Sequence, residues 1–196
     1  SDRFRPEVLT AALGERWYAA YGRFQRYPAC RWLACALESM ESVMTQTGWR
    51  ADEIDRIEVQ TFPRLVDDMM DSAPHNATDA QFSLPWTLAA VALRLPPGAE
   101  WYSPQTRCSP QMSALVAKVT AQIDEAFTER MCGPARQPGA RVIVHHRSGA
   151  SAQQERYPPL GSTDRPPPAG EIIAKARRTD QPRVGNQSSP RCSPHP

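Results

Sequence analysis

Lysine is almost absent from this chain. Only Lys118 and Lys175 stand among its 23 Lys and Arg residues, so lysine chemistry has few places to occur. The five cysteines form no CxxC pair and their count is odd. That argues against a disulfide framework or a structural zinc site and for reduced, mostly buried thiols. The longest apolar run, near Leu84–Leu95, is too short to span a bilayer. The opening Ser-Asp-Arg-Phe-Arg is not a secretory leader. Secretion and membrane insertion are therefore not expected, and a cytoplasmic location is. No glycine-rich phosphate loop is present, which leaves nucleotide binding without support. The formal net charge of +2 is too small to point to nucleic acid. No internal repeat occurs.

What is present suits a folded chain of one domain. The 196 residues are 40% hydrophobic and 22% charged, enough for a real core. The charge is unevenly placed. Residues 1–133 hold 13 basic and 17 acidic side chains, whereas 134–196 hold 10 and 4. Eleven of the 20 prolines also lie in that last third, which is expected to be less compact.

Residues 15–24 read as an aromatic-rich extended lead-in turned by Gly22. From Arg31 to Gln46, Leu33, Leu37, Met40 and Met44 fall at helical spacing, and Gly48 is a stop. Ile57, Val59 and Thr61 alternate with Glu58 and Gln60, as in a half-buried strand ended by Pro63. Residues 64–80 read as irregular and acidic. A second helix is expected from about Pro85 to Leu95, before Pro96-Pro97-Gly98, and a loop over 101–110. Met112, Leu115, Val116, Val119, Ile123 and Phe127 predict one long amphipathic helix. Val142-Ile143-Val144 marks a short strand, Ser148-Gly149 a hairpin turn, and 151–157 its partner. A proline-rich loop over 158–170 leads to a last short helix near Glu171–Arg178. Residues 181–196, with four prolines and three serines, are expected to be disordered. The fold class is α+β: a small, mostly antiparallel sheet with three or four helices packed on it.

Three stretches go beyond composition. Gly14-Glu15-Arg16-Trp17 is followed by Phe24-Gln25-Arg26-Tyr27-Pro28-Ala29-Cys30-Arg31-Trp32 and Ala36-Leu37-Glu38, and later by Ala80-Gln81-Phe82-Ser83-Leu84-Pro85-Trp86. These resemble the C-terminal domain of the MmgE/PrpD family, which includes 2-methylcitrate dehydratase, cis-aconitate decarboxylase and iminodisuccinate epimerase. Arg141-Val142-Ile143-Val144, Gly149, Gly161, Pro166 and Lys175 weakly resemble its terminal strand pair, loop and last helix. The resemblance covers about residues 12–178.

The resemblance implies a lid of α+β fold over residues 14–178, with 1–13 as a remnant of interdomain linker and 179–196 as a disordered tail. In the family the active site lies between this lid and a helical N-terminal domain. The implied chemistry is dehydration, decarboxylation or epimerisation of small polycarboxylic acids, without metal or organic cofactor. The family lysine is Gln25 here, the family histidine is Ala34, and the family tyrosine after Ser-Leu-Pro is Trp86. Glutamine and alanine cannot move a proton at neutral pH. No catalytic residue is therefore assigned, and the chain is expected to be catalytically silent alone. The matching positions Arg26, Tyr27, Arg31 and Ser83 are assigned to substrate binding, with Cys30 also matching.

Each has a plainer reading. Arg26 and Arg31 offer bidentate forks for a carboxylate, or make ion pairs. Tyr27 donates to substrate or simply packs. Cys30 is a nucleophile or an inert thiol. Ser83 binds substrate or caps a helix. His145 and His146 point to opposite faces of a strand and make a poor metal pair. Asp67, Asp68 and Asp71 read as a solvated loop. The partner is a small polycarboxylate, bound only together with a helical N-terminal domain, with a homo-oligomer expected if Tyr18, Tyr21, Phe24 and Trp86 form an exposed apolar face. The alternative function is a non-catalytic interaction or packing module, or a truncated gene product.

Overall fold

A computed structural model describes residues 5–15, 17, 22–134 and 136–179. The disorder expected over 181–196, and the roles of Tyr18 and Tyr21, lie outside the described residues.

Helix α1 (Glu7–Thr10) is a single turn followed by further turns over 11–15, and residues 22–30 carry no regular element before a 3-10 turn over Arg31–Leu33 and then α2 (Ala34–Thr47). Gly48 ends α2 in the left-handed conformation, φ 69°, where its amide donates to the Met44 carbonyl. Strand β1 (Ile54–Thr61) follows. The residues expected to be irregular form two short helices, α3 (Pro63–Asp68) and α4 (Ala77–Gln81). Pro63 suits the first turn of α3, where its missing N–H costs nothing. The Asn76 side chain caps α4 by accepting from the amides of Thr78 and Asp79. Helix α5 (Leu84–Ala92) is capped by Ser83, and α6 (Pro104–Arg107) gives the expected 101–110 loop a helical turn.

The expected long helix over 112–127 is a correction. It is three elements: α7 (Pro110–Val116), β2 (Val119–Ile123) and α8 (Glu125–Cys132). Val119, Thr120 and Ile123 are β-branched, and the segment pairs in parallel with β1 from Ile57↔Val119 to Thr61↔Ile123. Asp124 restarts a helix by accepting from the Phe127 amide at 3.2 Å.

Strands β3 (Ala140–His146) and β4 (Ser151–Arg156) form the expected hairpin, with Gly149 at φ 89°. Helix α9 (Ala169–Thr179) follows the proline-rich loop. The sheet order is β2-β1-β3-β4, antiparallel except for β1 with β2. The fold is α+β, as expected.

Helix α2 lies across β3 and β4, and α5 packs on α2 and α7. That sandwiching buries α2 nearly all round, from Ala34 to Met40 and again at Val43 and Met44. Ile57 and Val59 from β1 and Val142 and Val144 from β3 meet it from the sheet side. Trp86, expected on an exposed face, is instead buried, and its indole N–H donates to the Trp101 carbonyl at 3.0 Å. Full burial of a large side chain of this kind contributes roughly 2–3 kcal/mol. No helix among the described residues is long and apolar enough to cross a membrane.

Candidate functional site

A cleft of about 610 Å³ opens where the 23–26 segment, α2, the proline-rich loop and α9 converge. Arg23, Gln25, Arg26, Glu41, Glu171 and Lys175 supply its polar wall. Phe24 and Gly161 are locked together there. The Phe24 amide donates to the Gly161 carbonyl at 2.9 Å, and Gly161 has φ +88°. A Cβ at Gly161 would stand 2.1 Å from the Phe24 carbonyl oxygen, so only glycine permits this approach.

Arg26 lines the cleft but is heavily engaged. Its Nη1 and Nη2 donate to the two Glu41 carboxylate oxygens at 2.7 and 3.3 Å, and Nε lies 3.5 Å from Glu171. Burial pulls its pKa down, but Tyr27, Glu41 and Glu171 outweigh burial and the net shift is upward. Tyr27 is buried beside the cleft and donates its hydroxyl to Glu41 at 2.8 Å. Burial first, and then the Glu41 charge, hold its pKa far above the ordinary phenol value, so it stays a donor. Arg26, Tyr27 and Glu41 thus form one hydrogen-bonded triad joining the lead-in segment to α2.

Gln25, which the resemblance sets against the family lysine, lies just before the residues that open the cleft-side triad. Its side-chain amide donates to the Ala29 carbonyl, and the Lys175 ammonium donates to the Gln25 carbonyl. Ala34 is buried at the start of α2.

The other matching residues lie elsewhere. Ser83 is fully buried. Its hydroxyl accepts from the Trp86 amide at 3.1 Å and donates to the Asp71 carbonyl at 2.5 Å, the work of a helix cap. Cys30, a half-buried free thiol, borders a separate hollow with Trp32, Arg64 and Phe82. Cys35 and Cys132 are also free thiols, whereas Cys108 is disulfide-bonded, unlike the all-reduced expectation. Arg31 borders a third, smaller cavity with Arg23 and Arg136. So the structure brings Arg26 and Tyr27 together and keeps Arg31, Cys30 and Ser83 apart from them.

Glu41 and Glu171, both central to the cleft, escape sequence reasoning. They stand far along the chain from Arg26, at no spacing that marks a pair. His145 lies 3.2 Å from Glu58 and His146 3.8 Å from Glu53, on different partners. No cluster of His, Cys, Asp or Glu fit for a metal occurs among the described residues.

A search of curated proteins gives no significant match. A sequence model of the MmgE/PrpD C-terminal domain, however, matches residues 27–191, most of the chain. The match takes in the Tyr27–Trp32 motif, the Ser83 cap, the whole sheet and α9. On that match the chain belongs to the MmgE/PrpD family, as its C-terminal domain.

Proposed function

We propose that this domain is the substrate-covering part of an MmgE/PrpD-type lyase or isomerase. The substrates are small polycarboxylic acids, as for 2-methylcitrate dehydratase, and the domain is catalytically incomplete alone. The observation that carries the reading is the cleft wall. It sets cationic Arg23, Arg26 and Lys175, beside Glu41 and Glu171, around an open volume large enough for such an acid, and the resemblance puts Gln25 where the family has its lysine. Cations attract and orient carboxylates. A glutamine amide cannot accept or return a proton there.

In this reading Arg26 and Tyr27 act at the cleft, with Glu41 holding both in place. Ser83 acts by fixing the start of α5. The domain works in the cytoplasm, needs no cofactor of its own, and acts with a helical N-terminal domain. The test is turnover of citrate and 2-methylcitrate by the purified chain, with and without a co-expressed family helical domain. Turnover by the chain alone would overturn the reading.

One observation favours the second reading, a non-catalytic interaction module. Arg26 already has two carboxylate partners, Glu41 and Glu171. If the arginine serves only to pack the lead-in segment, no acid will bind the cleft even when the helical domain is supplied.

A further inference from the structure

The guanidinium of Arg31 has an unusual balance of partners. Its Nη1 donates to the Phe24 carbonyl at 3.0 Å. Its Nε and Nη2 are buried and have no hydrogen-bond partner. These two nitrogens form one edge of the planar group, the side-on fork that matches two oxygens of a carboxylate or phosphate. Buried donors left unmet are costly and are rare in folded proteins.

The surroundings suit an anion. Arg31 borders a cavity of about 100 Å³ together with Arg23, Arg136, Ser162 and Thr163. Asp164 is the carboxylate on its wall, so three arginines and one acid border it. At about 30 Å³ per water in the liquid, the cavity holds roughly three waters' worth of volume, the scale of one small oxyanion. Proline rings at 138, 158 and 159 complete the wall and keep its dielectric low, which strengthens an ion contact. Burial first, and then the charge of Arg23, lower the Arg31 pKa, a cost that a bound anion would relieve.

We propose that Arg31, with Arg23 and Arg136, forms a binding site for a small oxyanion, separate from the cleft and taking a carboxylate or phosphate on the Nε–Nη2 edge of Arg31. The Phe24–Gly161 seam lies between the two sites, and Arg23 borders both. The fork is buried while the Arg31 side chain borders the cavity. The anion engages the fork as the guanidinium turns toward the cavity, exchanging one hydrogen bond to the uncharged Phe24 carbonyl for two to a charged oxyanion. The proposal does not rest on the lyase reading, because binding here needs no turnover.

The test uses the full chain at fixed ionic strength, with chloride as the balancing salt. Binding of inorganic phosphate and of succinate is measured by titration calorimetry and by the shift in melting temperature. Saturable binding of either probe is expected, and the tighter one identifies the oxyanion. Arg31→Met should weaken it at least about tenfold, and Arg136→Gln on the exposed rim by severalfold. If Arg31→Met fails to fold, Arg31→Lys decides: it keeps the charge but loses the fork, and should bind clearly more weakly than the parent. Absence of binding by both probes overturns the proposal. So does binding undiminished in a folded Arg31 variant, which would place the anion elsewhere, including in the cleft.

Discussion

Glu38 of α2 holds Arg165 of the proline-rich loop by a two-point contact, Nη2 to Oε1 at 2.8 Å and Nη1 to Oε2 at 3.5 Å. The Leu160 amide donates to the same carboxylate at 3.0 Å. Arg165 also donates to the Pro158 carbonyl at 2.6 Å. One acid inside the helix layer therefore anchors the whole loop that forms one side of both the cleft and the anion cavity. The Glu38 side chain is 9% exposed, and that of Arg165 is 36% exposed.

Removing one partner leaves the other charge unmet, which costs about 3–5 kcal/mol where both are fully buried. Arg165 can reach water, so we expect Glu38→Ala to cost about 2–3 kcal/mol, at or below the low end of that range. Urea denaturation checks this. An effect below about 0.5 kcal/mol, the scale of a surface substitution, would contradict the anchoring role.

Gly161 is the second fixed point of that loop. Replacing it by alanine adds a methyl group against the Phe24 carbonyl and forces a side chain into φ +88°. Strain of this sort costs on the order of 1–3 kcal/mol. Gly161→Ala should lower the melting temperature and raise amide exchange at Phe24, whose hydrogen bond to Gly161 must break. The same substitution at Gly170, where a Cβ meets nothing within 4 Å, is the control and should be tolerated.

The thiols should separate by burial. Cys35 is buried, its Sγ donates to the Pro138 carbonyl at 3.2 Å, and burial, aided by the Glu38 charge, pushes its pKa up to about 12. Cys132 is exposed. Alkylation of the folded chain at pH 8 should label Cys132 and spare Cys35, since only the thiolate reacts. The folded state keeps the Cys35 proton to higher pH than the unfolded state does. Its contribution to stability is therefore complete below the ordinary thiol range and is lost as pH rises toward about 12. Rapid labelling of Cys35 under native conditions would refute this placement.

Large apolar side chains stay uncovered in the lead-in and beside α4: Trp17 is 72% exposed, Phe24 52% and Phe82 49%. Exposed groups of this kind favour association. Sedimentation velocity should show self-association that rises with concentration and falls in a Phe24→Ser, Phe82→Ser double variant. A monomer at high concentration, with no binding of apolar dyes, would contradict it.

The legible parts of the fold are those where one period dominates. Leu33, Leu37, Met40 and Met44 mark α2, and the alternation at Ile57, Val59 and Thr61 marks β1. The 112–127 segment misleads because a spacing of four, as from Val119 to Ile123, satisfies both helix and strand periods. Only pairing with β1 decides it, and that partner lies some 60 residues earlier. Trp86 reads as an exposed aromatic until the Trp101 carbonyl supplies its buried acceptor. At the cleft, Arg26 and Tyr27 are visible as a motif. Glu41 and Glu171, which set their chemistry, become neighbours only through folding.

The resemblance marks Gln25 and Ala34 as altered positions. If Gln25 and Ala34 mark lost acid–base groups, Gln25→Lys and Ala34→His should restore rate only when a helical domain is supplied. A correctly placed acid or base contributes typically about 10²–10⁴-fold, so the gain should be measurable. In the lone chain the same changes should do nothing, because a proton donor without its opposite wall positions no substrate. The two substitutions differ in risk. Gln25 lines the open cleft, so a lysine there meets solvent and the nearby Lys175. Ala34 is buried between Leu33 and Cys35, themselves buried, and an imidazole must displace core atoms, at about 1–3 kcal/mol. Thermal melting must therefore accompany every rate. A folded Gln25→Lys chain, paired with the helical domain and no faster than its parent, would show that position 25 is not where this domain lost its chemistry.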